Sequence, residues 1–297
     1  MRDSNIKKID LADLQINSGS KIAVFVHWSK TDVISNHDQE LINSLALEFD
    51  QLLVICNLNK SNSINKNDHC EFKQNVKLVN RRNSGYDFGA YQAALAILKP
   101  SANLIDEIVL TNNSVYKVHE SLTPLIKSMR NSSFDVTSVT NSREKGLHLQ
   151  SYFLHLKKSV LNQEAFWNWF EDLELSDSKF VTIDKLEIPF AKIIDSFGLS
   201  SGAIWDCDDL FEFYFSSSGS ALLLEFRSEL SWFVGAKEIR RGRMLNPTHY
   251  MWPHLLALGC PFLKKDLFRD KDLYLGIEEW DKFVKSPNMI SLIREGI

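Results

Sequence analysis

The segment from Arg82 to Gly89 is the most distinctive chemical motif of the chain, and it reads Arg-Asn-Ser-Gly-Tyr-Asp-Phe-Gly. Gly85 can adopt a positive φ angle, and Gly89 lets backbone or a ligand approach closely. Asp87 or Ser84 could cap the helix that follows, which would direct its N–H groups toward an anion. The segment therefore indicates either a pocket for a nucleotide-type ligand or a tight turn with an aspartate cap.

Two amides and a hydroxyl, Asn112, Asn113 and Ser114, follow an apolar run that ends at Leu110. Amide groups hydrogen-bond sugar hydroxyls or phosphate oxygens, but they bind a hard divalent cation more weakly than carboxylates do. The segment indicates either a contact with a polar ligand or an Asx-type turn.

The residues from His148 to Leu156 alternate apolar and polar side chains, which predicts a strand. Alternate residues of a strand share a face. This grouping sets His148, Gln150 and Tyr152 against Leu149, Ser151 and Phe153. One of the two faces could line a cleft, and a partly buried strand without a ligand is the alternative.

Glu187 lies at a predicted helix start, two residues before Pro189. A carboxylate is favoured at a helix N-terminus in any case, so capping is one interpretation. The other interpretation makes Glu187 a general base that deprotonates an acceptor hydroxyl.

The stretch 237–265 is the most basic part of the chain and contains Arg243 and Lys264. Arginine and lysine side chains can clamp a diphosphate or a phospholipid-linked acceptor. A solvated cluster of charges is the alternative interpretation.

Four short apolar runs alternate with helical patterns and must position these residues. They predict strands at 21–27, 52–56, 76–79 and 107–110. Strands that alternate with helices indicate an α/β fold with a mainly parallel sheet and helices on both faces. Ligands of such sheets bind beyond the carboxyl ends of the strands, where His27 and the two polar segments fall. The second half of the chain is predicted to be more helical.

The composition excludes several classes of function. The chain has 297 residues with a formal charge of −4, so its overall charge does not indicate a basic surface that would bind nucleic acid. Its four cysteines form no CxxC pair and its histidines are scattered, so neither a zinc nor a redox site is expected. No signal segment and no window of about 18 apolar residues is found, so a cytoplasmic location is expected. The basic stretch leaves peripheral contact with an inner membrane open.

Together these segments resemble the rhamnan synthesis protein F (RgpF) family of bacterial polysaccharide glycosyltransferases. The pieces that carry the resemblance, in the order of the family, are Arg82–Tyr91, Leu110–Ser114, Leu149–Phe153, Asn246–Thr248 and Pro261–Lys264. The resemblance implies a GT-A-like, Rossmann-type fold in one domain, 1–297. Its nucleotide-sugar half would span about 21–145 and its acceptor half about 146–297.

The resemblance implies transfer of rhamnose or a similar hexose from a nucleotide sugar to a growing cell-surface polysaccharide, such as O-antigen, capsule or rhamnan. The acceptor would be lipid-linked or an oligosaccharide. The donor-binding residues would be His27, Asn83, Gly85, Tyr86, Asp87, Gly89, Asn112, Asn113, Ser114, Arg243 and Lys264. The acceptor-binding residues would be His148, Gln150, Ser151 and Tyr152, with Glu187 as the base of an inverting reaction.

The chain departs from the family pattern after the fourth strand. The family usually has Asn-Asp-Ser followed by Gly-Pro, whereas this chain has Asn113 in place of the aspartate and Lys117-Val118 in place of Gly-Pro. No metal ligand is therefore assigned, and Mg²⁺ or Mn²⁺ is left open as a companion of the donor. Lys117 could supply the positive charge instead. The competing hypothesis is a catalytically silent sugar- or nucleotide-binding module, or a partner subunit of a polysaccharide assembly complex.

Overall fold

The computed structural model describes residues 14–59, 63–64, 71–224, 246–269 and 277–297. The strands of these residues are β1 (Ser20–Trp28), β2 (Gln51–Leu58), β3 (Val76–Arg82), β4 (Ile105–Asn112), β5 (Val115–Lys117), β6 (Val136–Ser142), β7 (His148–Leu149), β8 (Phe153–Lys157), β9 (Ser201–Trp205) and β10 (Phe262–Lys264). No helix of the described residues is both long enough and apolar enough to cross a bilayer.

The helices of the described residues lie mostly in the second half of the chain. They are α1 (Asn36–Glu48), α2 (Tyr86–Leu98), α3 (Thr123–Asn131), α4 (Lys158–Leu161), α5 (Glu164–Glu171), α6 (Lys179–Thr182), α7 (Ile188–Ser196), α8 (Cys207–Phe215), α9 (Ser217–Leu224), α10 (Pro247–Tyr250), α11 (Trp252–Ala257), α12 (Asp266–Arg269) and α13 (Pro287–Gly296). Lys99–Leu104 and Ile277–Phe283 form 3₁₀ turns, and Ile183–Glu187 forms a π-helical turn.

The central sheet has the strand order β3-β2-β1-β4-β8-β6-β7, and β9 pairs with β6. Strands β1 to β4 pair in parallel, and β9 is parallel to β6. Strand β8 is antiparallel to both of its neighbours, and β7 is antiparallel to β6. The mainly parallel α/β sheet expected from the alternating pattern is confirmed.

Helices cover both faces of the sheet because each central strand buries side chains in two directions. Along β1, Ile22 and Val24 pack on one side and Ala23 and Phe25 on the other. The first side packs against α2, α5 and α7, and the second against α1, α3 and α8. All four of these strand residues are fully buried, which anchors the strand ends that carry the polar segments.

A small second sheet brings the C-terminal part of the chain to the end of β4. Strand β10 pairs antiparallel with β5, and Lys264 lies opposite Val115. The backbone N–H of Lys265 donates to the carbonyl of Ser114 at 3.0 Å, which continues this pairing. Lys264 is thereby placed beside Ser114, although 150 residues separate them in sequence.

The structure corrects two predicted elements. The strand predicted from His148 to Leu156 is interrupted, because Gln150, Ser151 and Tyr152 lie between β7 and β8. Helix α7 begins at Ile188, next to the predicted start, but it continues a helical segment that starts at Lys179 with Ser178 as its N-cap. The Ser178 hydroxyl accepts the N–H of Val181, so Glu187 does not cap this helix.

Candidate functional site

Two glycines shape the turn that links β3 to α2. Gly85 has φ +68°, and a Cβ on it would lie 2.7 Å from the side chain of Leu175. A Cβ on Gly89 would lie 2.2 Å from the carbonyl oxygen of Ser84, closer than any real Cβ contact. The two glycines therefore fix the path of the chain into α2, and Leu175 packs over the turn.

Hydrogen bonds from side chains of β2 and β3 also stabilise this turn. The buried guanidinium of Arg81 donates to the side chain of Asn57 at 2.7 Å and to the carbonyl of Ser84 at 3.1 Å. Asn57 in turn donates to the carbonyl of Tyr86 at 3.4 Å. The hydroxyl of Tyr86 donates to the carbonyl of Asp177 at 3.1 Å, and Tyr86 itself has a positive φ of 53°. The backbone around Tyr86 is thus held in a conformation that L-residues rarely adopt.

The turn delivers Asp87 to a group of polar side chains, which we call the carboxylate cluster: Asp87, Asn112, Ser151, Glu187 and Lys264. Asn112 donates from Nδ2 to Asp87 Oδ2 at 2.9 Å, and the Ser151 hydroxyl donates to the same oxygen at 3.4 Å. The backbone N–H of Ser151 donates to Glu187 Oε1 at 3.0 Å. Ser151 therefore contacts both carboxylates and sets them side by side.

The surroundings of Asp87 change how readily its carboxyl group takes up a proton. Burial and the nearby charge of Glu187 raise the pKa of Asp87 to about 6. Carboxyl groups that share a site resist double ionisation, so Asp87 takes up a proton at a higher pH than an isolated aspartate does. A pair with this property is suited to general acid–base chemistry.

Lys264 provides the positive charge of the cluster. Its Nζ donates to the hydroxyl of Ser114 at 3.2 Å and lies 4.1 Å from the centre of the Tyr152 ring. Burial lowers the pKa of Lys264, while the charges of Glu187, Asp266 and Asp87 oppose part of that shift. Opposite charges thus face one another at the carboxyl end of β4, where ligands of parallel sheets bind.

Glu187 occupies the last position of the π-helical turn between α6 and α7. Pro189 has no N–H to donate to the carbonyl of Lys185, so the regular ladder cannot continue through this point. π-Turns of this kind are frequent at functional sites. The turn directs Glu187 to the backbone of Ser151, which the predicted helix start did not anticipate.

Asn113 and His27 lie apart from the carboxylate cluster in a buried network around Asp38. Asn113 donates from Nδ2 to Asp38 Oδ2 at 3.1 Å and to the carbonyl of Trp28 at 2.9 Å. His27 Nδ1 is 3.2 Å from Asp38 Oδ2, and Lys265 donates to Asp38 Oδ1 at 2.7 Å. Burial raises the pKa of Asp38, but Lys265 and the hydrogen bond to His27 bring it well below its usual value. The Asn113 amide therefore forms its hydrogen bonds with groups of the protein itself.

The predicted acceptor residues divide into two groups. Ser151 belongs to the carboxylate cluster, whereas Gln150 and Tyr152 bond to Thr140 on β6 at 2.6 and 2.9 Å. Gln150 also donates to the side chain of Asn246 at 3.1 Å, so two predicted motifs meet. His148 is buried, and its Nδ1 is 2.8 Å from the carbonyl of Gly146.

Two further residues singled out in the sequence, Asn83 and Lys117, lie outside the cluster contacts. The backbone N–H of Asn83 donates to the carbonyl of Leu58 at 3.1 Å, which continues the pairing of β3 with β2. The Nζ of Lys117 is buried and donates to Glu40 at 2.7 Å and to Ser44 at 2.6 Å, so its charge is already neutralised. Arg243 lies outside the described residues.

The amides of Asn112 and Asn113, at the end of β4, do not suit a divalent cation. Asn112 Oδ1 accepts the N–H of Ser114 at 3.0 Å, and Asn113 Oδ1 accepts the N–H of Trp28 at 3.3 Å. Both oxygens are uncharged and already accept a backbone hydrogen bond, whereas hard cations favour carboxylates. Among the described residues, a different group, Asp206, Cys207 and Asp208, offers closely spaced ligand atoms. It is bound instead to Asn141 and Arg143.

Solved structures show only distant likeness to the chain. The glycosyltransferase GlyE of Streptococcus pneumoniae has a TM-score of 0.41 and 10% identity, over 94% of this chain and 63% of that chain. The 4-diphosphocytidyl-2C-methyl-D-erythritol synthase of Anaerococcus prevotii has a TM-score of 0.38 and 8% identity, over 63% of this chain and 88% of that chain. At TM-scores below 0.5, this likeness carries no argument about function.

Sequence relatives lead to a family. The chain is 24% identical over 272 residues to virulence protein VirA of Vibrio anguillarum. The aligned region covers 87% of this chain and 84% of that protein. It is 26% identical over 180 residues to the uncharacterized protein y4gN of Sinorhizobium fredii, over 57% of this chain and 46% of that protein. The model of the family described as RgpF, rhamnan synthesis protein F, matches residues 52–227. Because this match spans more than half of its length and includes the turn and β4, the chain belongs to the rhamnan synthesis protein F family.

Proposed function

We propose that the chain is a glycosyltransferase that moves rhamnose or a similar hexose from a nucleotide sugar to a growing bacterial cell-surface polysaccharide. The observation that carries the proposal is the carboxylate cluster at the carboxyl end of β4, where Ser151 joins Asp87 and Glu187. Membership of the rhamnan synthesis protein F family supports a transferase of polysaccharide synthesis. The proposed acceptor is lipid-linked or an oligosaccharide, met in the cytoplasm at the inner membrane.

The proposed reaction is a direct displacement that inverts the anomeric centre. The acceptor hydroxyl oxygen bonds to the anomeric carbon while the bond from that carbon to the diphosphate oxygen breaks. The bonding electrons leave with the nucleoside diphosphate, and the hydroxyl proton passes to the Glu187 carboxylate. A base in this position lowers the barrier because the proton leaves as the new bond forms.

The surrounding groups prepare Glu187 and the donor for this step. The N–H of Ser151 holds one carboxylate oxygen of Glu187 at 3.0 Å, which leaves the other oxygen for the acceptor. Asp87 is held by Asn112 and Ser151 at the start of α2, and we propose that it contacts the nucleotide part of the donor. Lys264 and Ser114 lie next to this group and would face the diphosphate.

The experiment that tests the base is Glu187→Gln, assayed for sugar transfer and donor hydrolysis with a panel of nucleotide sugars. We expect turnover to fall by about 100-fold or more, because the amide cannot accept the proton. The matched control is Glu171→Gln, since Glu171 is exposed on α5 and pairs with Lys99. Near wild-type turnover in a folded Glu187→Gln variant would overturn the assignment.

A silent binding module is the second candidate, and Asn113 supports it because the family aspartate is replaced by an amide that bonds within the protein. Calorimetry with the same nucleotide sugars, with and without Mn²⁺ or Mg²⁺, separates the two candidates when it is combined with the transfer assay. Binding without transfer supports the module. Binding with transfer supports the enzyme, and absence of both contradicts the two candidates together.

A further inference from the structure

We propose that the ammonium group of Lys264 neutralises the diphosphate of the sugar donor in place of a divalent cation, so that transfer proceeds without metal. This inference rests on the proposed function and names the group that compensates the leaving charge. The amides of Asn112 and Asn113 at the end of β4 do not suit a hard cation, because their oxygens are uncharged and already accept a backbone hydrogen bond. The donor still carries a diphosphate, and its charge requires a partner.

Lys117, Lys264 and Lys265 lie on or directly after the paired strands β5 and β10, and they differ in their partners. Lys117 bonds to Glu40, and Lys265 bonds to Asp38, each at 2.7 Å. Lys264 Nζ donates to the neutral hydroxyl of Ser114. Within the described ranges, no carboxylate lies within salt-bridge distance, 4.0 Å, of Lys264 Nζ. An ammonium has three donors, so Lys264 keeps hydrogen-bonding capacity for phosphate oxygens.

The position of Lys264 is fixed from two sides. Pairing of β10 with β5 sets its backbone, and the ion pair of the next residue, Lys265, with the buried Asp38 locks the strand end. The Tyr152 ring lies beneath its Nζ at 4.1 Å, and such a ring face attracts a cation without neutralising it. Lys265 is therefore a positioning residue, and Lys264 is the group that would contact the donor.

A fixed cation suits this step because charge develops on the leaving diphosphate as the sugar bond breaks. A preorganised positive group stabilises that charge without reorganising at the moment of reaction. Lys264 remains protonated throughout, so the nucleoside diphosphate departs with the bonding electrons and no proton is taken from Lys264. Burial works against the ammonium form of Lys264, and the charges of Glu187, Asp266 and Asp87 offset part of that cost.

The first test measures transfer in EDTA and after addition of Mg²⁺ or Mn²⁺, with a panel of nucleotide sugars. We expect turnover in EDTA to stay within about twofold of that with added cation, since no step requires the metal. Transfer that appears only with added cation would overturn the inference and leave the proposed function intact. Absence of transfer and of nucleotide binding under every condition would overturn the proposed function itself.

The second test compares Lys264→Met, Lys264→Arg and the control Lys127→Met, an exposed lysine on α3. We expect Lys264→Met to lower kcat by about 100-fold, as removal of one fixed transition-state donor does elsewhere. Lys264→Arg retains the charge and should recover part of the rate. Calorimetry with UDP, GDP and dTDP in EDTA should show weaker binding only for Lys264→Met. Equal kcat and equal nucleotide affinity in Lys264→Met and the control would overturn the inference.

Discussion

Asn113 stands where its family usually has aspartate, and its surroundings explain why an amide is suited to this position. Its Nδ2 donates to the carbonyl of Trp28 and to the carboxylate of Asp38, while its Oδ1 accepts the N–H of Trp28. An aspartate could accept that N–H, but it could not donate to either oxygen. The amide therefore links three groups that a carboxylate would partly repel.

Asn113→Asp is expected to lower the free energy of unfolding at pH 7 by about 2–4 kcal/mol, because it brings a second carboxylate against the buried Asp38. Two carboxylates that share a site raise the pKa of one of them, so the loss should be smaller at pH 5. Urea unfolding at both pH values measures the effect. The control is Asn103→Asp at an exposed position, which should change little. Equal losses in the two variants would contradict this account.

The role of a single residue could be predicted from the sequence only where the neighbouring residues form a recognisable motif. The turn around Asp87 was identified because glycine, aspartate and a following helix form a compact motif. Asp38 and Lys265 were missed because 227 residues separate them, and nothing in the local sequence of either indicates the other. Charged pairs of this kind become visible only when the fold joins their elements.

At the scale of elements, the start of α2 depends on Gly85 for two separate reasons. Its φ angle of +68° disfavours every residue that carries a Cβ, and Leu175 occupies the space that a Cβ would need. Gly198 offers a matched comparison, since it has φ +75° but no atom within 4 Å of the place that a Cβ would take. The two positions share backbone strain and differ in packing.

We therefore expect Gly85→Ala to cost more stability than Gly198→Ala. The shared backbone term is about 1–2 kcal/mol. Displacement of Leu175 should add about 1–3 kcal/mol to the Gly85 variant alone. Thermal and urea unfolding of both variants measure the difference. If the two substitutions cost the same, Leu175 does not constrain the turn.

The elements that sequence reasoning found were those with apolar runs or regular spacing. The first four strands and the helices between them were found in order, with ends that shift by a few residues. Strand β6 was missed because its sequence, Val-Thr-Ser-Val-Thr-Asn-Ser, reads as polar although every residue is buried. Its hydroxyls are satisfied by partners such as Gln150 and Tyr152, which local pattern cannot show.

At the scale of the whole molecule, buried charge is concentrated near both ends of β4. Near the carboxyl end lies the network around Asp38, and near the other end Glu107 bonds to Arg130 and His155. Burial alone would raise the pKa of Glu107. The hydrogen bonds from His155 and Arg130 outweigh that effect and bring the pKa down to about 2. The packing at each end of β4 is therefore stabilised by an ionised carboxylate, Asp38 at one end and Glu107 at the other.

This arrangement predicts how stability depends on acidity. Glu107 has an ordinary pKa of 4.5, so its contribution is complete above that pH and is lost as the pH falls through about 2. Glu107→Gln should lower the free energy of unfolding at pH 7 by about 3 kcal/mol, and the difference from wild type should shrink near pH 2. The control is Asp106→Asn, since Asp106 is its exposed neighbour. A difference that stays constant with pH would contradict the assignment.

The short sheet formed by β5 and β10 also has a consequence for the order of synthesis. Asp87, Ser114, Ser151 and Glu187 leave the ribosome well before Lys264, which joins them only when β10 pairs with β5. A nascent or truncated chain that ends before residue 264 would hold both carboxylates and lack the opposing charge. By our proposal, such a chain would expel a diphosphate much more slowly, so the nucleotide sugar would be largely protected from wasteful cleavage until the molecule is nearly complete.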